Sequence, residues 1–82
     1  MREWLNSATG RIVDEVGDDA GAYGISEEDV DRLLGLAGVA AHDSGDRTNA
    51  PLVTFLAGVA YGRHPDRSVA DIVGAARGGS ER

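Results

Sequence analysis

The sequence predicts an all-α fold, a compact bundle of four short helices. Three observations point there. Apolar residues recur with a helical period in four stretches. Helix start signals stand before three of them, at Ser26, at Thr48-Asn49 with Pro51, and at Ser68. No stretch alternates with period two between hairpin turns, so no strand pattern competes.

The first helix is expected over about 2–16, where Trp4, Leu5, Ala8, Ile12, Val13 and Val16 form one stripe and Gly17 stops it. Asp18 to Gly24 reads as a loop with two glycines. The second helix covers about 26–42. Ser26 and Asp29 resemble a capping box, and Glu27, Glu28 and Asp29 complement the positive end of the helix dipole. Its buried stripe is expected at Val30, Leu33, Leu34, Ala37, Ala40 and Ala41. The third helix covers about 50–62, capped by Thr48 or Asn49, with Pro51 in the first turn, where its missing N–H costs nothing. Leu52, Phe55, Leu56, Val59 and Ala60 are its expected inward face, and Gly62 its end. The fourth, about 68–77, is capped by Ser68 and turns Val69, Ile72, Val73 and Ala76 inward. Residues 1–77 thus form one domain, and 78–82 read as a flexible tail.

Leu36-Ala37-Gly38-Val39-Ala40 recurs as Leu56-Ala57-Gly58-Val59-Ala60. Each glycine costs about 1 kcal/mol against alanine in a helix interior. A tight crossing of two central helices would offset that cost, and a duplicated hairpin is the other explanation.

Composition narrows function more by exclusion. The 82 residues carry eight Arg, no Lys, 14 Asp plus Glu and no Cys, for a net charge of −6. One small core is the limit at this length, with a partner or oligomer as natural support. Without cysteine there is no disulfide, thiol nucleophile or thiolate metal site. The acidity argues against nucleic acid and anionic membrane as partners. The Met1-to-Asn6 start lacks a signal-peptide core and nothing reaches ~18 consecutive apolar residues, so a cytoplasmic protein is the simplest reading. Charge is lopsided, −8 over 1–46 and +2 over 47–82.

Candidate chemistry is sparse. The acids at Asp14, Glu15, Asp18 and Asp19 do not follow the EF-hand ladder. His42 and His64 are too few for zinc without cysteine, so no metal or other cofactor is expected. His42 sits where the second helix ends, suited to its last carbonyls. No nucleophile stands paired with it, so no catalytic residue is expected and the chain is not read as an enzyme. Neither nucleotide-cradling glycine motif is present. Acyl carrier proteins are acidic four-helix domains of similar length with an Asp-Ser-Leu motif, but here Asp43-Ser44 is followed by Gly45 and the next helix starts about five residues later. The carrier reading is the lesser alternative. The informative stretch is His42 to Arg63, a polar loop running into a strongly apolar helix. His42, Arg47, Asn49 and Thr54 are its polar candidates for a partner surface or an anion site at the third helix's N-terminus.

Trp4-Leu5, the Val39-Ala40-Ala41-His42 helix end, Arg47, and Ala50-Pro51-Leu52-x-Thr54-Phe55-Leu56-x-Gly58 resemble a small actinobacterial family, a domain of unknown function, DUF6457. Thr48 stands where the pattern usually has Pro, and Val53 where it often has Thr. Such domains occur alone or attached to the C-terminal side of proteins similar to molybdenum cofactor guanylyltransferases. The resemblance therefore implies a non-enzymatic accessory module, linked to biosynthesis of the molybdopterin guanine dinucleotide cofactor. The implied partner is a guanylyltransferase-like protein; a homodimer is the other expectation for a domain with so small a core. Trp4, Leu5, Pro51, Leu52, Phe55, Leu56 and Gly58 carry the family signature and are expected in the core. The alternative function is a small anion or nucleotide binder built on Arg47.

Overall fold

The computed structural model describes residues 2–78. The expected tail from Gly79 to Arg82 lies outside the described residues. Four α-helices are present: α1 Arg2–Val16, α2 Glu27–Ser44, α3 Asn49–Arg63 and α4 Val69–Arg77. No strand occurs among the described residues, so the chain is a small all-α bundle. No described helix is long and apolar enough to cross a membrane.

The start signals act as expected at two helices. Ser26 Oγ accepts the Asp29 N–H at 3.1 Å, and Ser68 Oγ accepts the Asp71 N–H at 3.0 Å. Gly17 and Gly45 adopt left-handed φ values of 70° and 73°, where a Cβ would be strained, and close α1 and α2. Two helix ends shift. Helix α2 runs two residues past His42, because Ser44 Oγ donates to the Ala40 carbonyl at 2.6 Å and the Gly45 N–H to that of Ala41 at 3.1 Å. Helix α3 runs past Gly62 to Arg63, ending where the His64 N–H meets the Ala60 carbonyl. The loop after α1 holds a 3₁₀ turn, η1, at Ala20–Tyr23, capped by Asp19, whose carboxylate accepts the Gly21 N–H at 3.0 Å.

Helices α2, α3 and α4 pack on one another, whereas among the described residues the backbone of α1 approaches η1 and none of those three. The core centres on Leu36, which is 1% exposed, with Ala57 and Val73 buried beside it. Leu33, Val53, Val69 and Ile72 complete it. A radius of gyration of 13.4 Å exceeds the roughly 11.7 Å usual for this length, as expected when one helix stands apart from the rest.

Core expectations need correction. None of the seven signature residues is buried: Trp4, Leu5, Pro51, Leu52, Phe55, Leu56 and Gly58 are all exposed. For Trp4 and Leu5 the reason is the position of α1. For α3 it is helix phase. Apolar residues surround the whole of α3, so periodicity assigns it no inward side. Its inner side is Val53, Ala57 and Ala60, where small side chains admit α2 and α4, while the large ones point outward. Leu34 of the expected α2 stripe and Ala76 of α4 are likewise exposed, and Leu36 is the residue α2 buries. The crossing expected at Gly38 and Gly58 is absent, since a Cβ at either position meets nothing within 4 Å. Gly58→Ala is therefore expected to stabilise folding by about 0.5–1 kcal/mol, read as a higher urea midpoint with unchanged slope.

Candidate functional site

The loop from Ser44 to Asn49 is held by its own side chains. Neither Thr48 nor Asn49 caps α3 as expected. Thr48 makes no side-chain cap bond. Instead Asp46 Oδ1 accepts the Thr48 hydroxyl at 2.7 Å and the Thr48 N–H at 3.0 Å. The Asn49 amide donates to Ser44 Oγ at 2.9 Å. Ser44 is thus engaged within the end of α2, unlike a carrier serine heading its following helix.

The hydroxyl bond first, then the amide bond, hold the Asp46 carboxyl below the usual carboxylate range. A folded value below the unfolded one makes this stabilisation complete above about pH 4, the unfolded value, and lost as pH falls through the folded value. The Thr48 amide resonance is expected to titrate with a midpoint below that of an unstructured aspartate, and Asp46→Asn should abolish the transition. A midpoint at the unstructured value would mean that the bonds do not persist in solution.

The four polar candidates do not converge. His42 is exposed on α2, with Nδ1 3.5 Å from its neighbour Asp43. Arg47 is exposed in the loop, and Asn49 is tied to Ser44. Thr54 is half-buried, its hydroxyl donating to the Ala50 carbonyl at 2.7 Å. Thr54 and Asn49 line recesses on different sides of α3. The start of α3, proposed for an anion, already carries the Asp46 carboxylate, which repels one.

One concavity lies on the Thr54 side of α3. A groove of about 660 Å³ opens between the end of η1, the first turns of α2 and α4, and the second half of α3. Ile25, Leu33, Tyr61, Val69 and Ile72 form its apolar walls, with Tyr23 at one rim. Tyr23 is positioned by its hydroxyl, which donates to Asp18 Oδ2 at 3.0 Å. That bond is the first cause of a raised Tyr23 pKa, so the contact is complete below about pH 10 and lost as pH rises through the higher folded value. Asp29, on the α2 side, pairs with Arg32 at 2.7 Å. Sequence reading missed this groove because four separated segments build it. Its one local signal was Tyr23 and Ile25, large apolar side chains in a stretch read as a glycine loop.

No group of three His, Asp or Glu side chains is placed to hold a metal among the described residues. No polar or charged residue is buried among them either. No characterised protein and no solved structure matches this chain. A family model does: the domain of unknown function DUF6457 matches residues 1–82, the whole length. The chain carrying this three-helix core, outlying α1 and apolar groove belongs to the DUF6457 family.

Proposed function

We propose that this chain is a protein-docking module with no catalysis of its own. Its groove takes an apolar segment of a guanylyltransferase-like protein of molybdenum cofactor assembly. The supporting observation is the groove: about 660 Å³, open along one side, with apolar walls. Small-molecule sites set a few polar groups to fix their ligand's orientation. Here Asp18 and Asp29 sit near the rim but are already bonded to Tyr23 and Arg32, and the Thr54 hydroxyl is turned to its own helix. Aromatic anchors such as Tyr23 and Tyr61 suit a protein interface, where a large apolar body joins a polar tip. The choice of partner rests on the resemblance described above, since related domains are attached to such enzymes.

Titration calorimetry against the guanylyltransferase-like protein encoded in the same genome tests this reading. Wild type is expected to bind, and Tyr61→Asp to weaken binding by roughly 30-fold or more, the effect of losing one interface anchor. Absence of binding, or equal binding by Tyr61→Asp, overturns it.

A further inference from the structure

We propose that a second copy of this chain lays its α1 along the outer face of α3, and that the exchange is reciprocal in a two-fold symmetric dimer. This surface is separate from the groove and goes beyond the docking function.

Two apolar stripes of the same chain stand uncovered. On α1, Trp4 is 72%, Ile12 52% and Val16 60% exposed. On α3, Leu52 is 58%, Phe55 68% and Leu56 61% exposed, with Val59 continuing the row. Positions 4, 12 and 16 follow one helix face, as do 52, 56 and 59, so each stripe can seat the other as a helix pair. A helix apolar on all sides, as α3 is, belongs inside a core, and α2 and α4 cover only one side of it.

The chain's own α1 is held away from that face. Its last turn closes on left-handed Gly17, where the Gly17 and Asp18 N–H groups both reach the Val13 carbonyl, at 2.9 and 3.1 Å. The Asp18 carboxylate then accepts from its neighbour's N–H and from the Tyr23 hydroxyl, and Asp19 caps η1. This bonded connector directs α1 outward, where a second molecule can take it.

Area favours the same occupant. The exposed surface is 6129 Å², against about 4,600 Å² for a folded monomer of this mass. The surplus of roughly 1,500 Å² per chain exceeds the ~800 Å² that each partner contributes to a standard stable interface. A reciprocal exchange buries both stripes of both chains, as an isologous contact requires. Charge agrees. Helix α3 contains no acidic residue and ends on Arg63, whereas α1 carries Asp14 and Glu15 in its last turn.

Light scattering of the purified chain is expected to give twice the 8.5 kDa chain mass. Its melting temperature should rise with protein concentration. Phe55→Asp should weaken dimerisation by roughly 30-fold or more. Because the chain has no cysteine, introduced thiols report unambiguously. Ile12→Cys and Phe55→Cys chains, mixed and oxidised, are expected to cross-link to each other. A monomer at every concentration overturns the inference. So does a double Ile12→Cys/Phe55→Cys chain that closes only on itself, or Phe55→Cys chains that link only to one another. A monomer that still binds the guanylyltransferase-like protein would sink the dimer and leave the docking function standing.

Discussion

Leu36→Ala is expected to unfold much of the protein at room temperature. Leu36 is the one large side chain buried to within 2% among the described residues, and Ala57, Val73 and their half-buried neighbours gather around it. Removing it takes apolar area out of the core and leaves a cavity bounded by Ala57, Val73 and their half-buried neighbours. Such substitutions cost about 2–5 kcal/mol. A core of this size supplies little more than about 3–5 kcal/mol in total. Thermal denaturation followed by circular dichroism should show a broad transition at low temperature or none. A loss under about 1 kcal/mol would mean that the three helices do not centre on Leu36.

Ala57→Leu is the second large effect, and it acts in the opposite sense of volume. Ala57 is 7% exposed and faces Leu36 and Val73, so three added carbons must displace those side chains or push α3 off its neighbours. Overpacking of this kind costs about 1–3 kcal/mol. The neighbouring Gly58 gives an internal control, because a Cβ there meets open space. Urea denaturation of the two variants side by side is expected to give shifts of opposite sign. Equal shifts would mean that α3 does not present Ala57 to the core.

Both effects arise from how α3 is turned, and this governs what the molecule offers to others. With Val53 and Ala57 inward, Leu52, Phe55 and Leu56 are left outside on one flank. Tyr61 faces the groove on another. Positions that looked like a core signature are therefore surface positions. Their apolar character suits contact with other chains, the second copy and the docking partner proposed above.

Local rules carried much of the fold. Capping hydroxyls at Ser26 and Ser68, and glycines able to take positive φ at Gly17 and Gly45, mark boundaries because each acts within five residues of chain. The α2–α3 loop was less legible, since three residues there compete to cap and Asp46 prevails through two bonds to Thr48. The groove was the least legible, because its walls come from four segments brought together only by packing.

The sequence by itself determined that this chain is all-α, where most of its helices start and stop, and to which family it belongs. Those properties reside in short-range hydrogen bonds, backbone propensities and helical periodicity. Tertiary structure alone decided which face of α3 is buried, that α1 stands apart, and where a partner finds an apolar surface. The physical reason is that a helix apolar on every side carries no phase of its own. Its inward face is set by the volume its neighbours leave, and here α2 and α4 leave room for Val53 and the small Ala57.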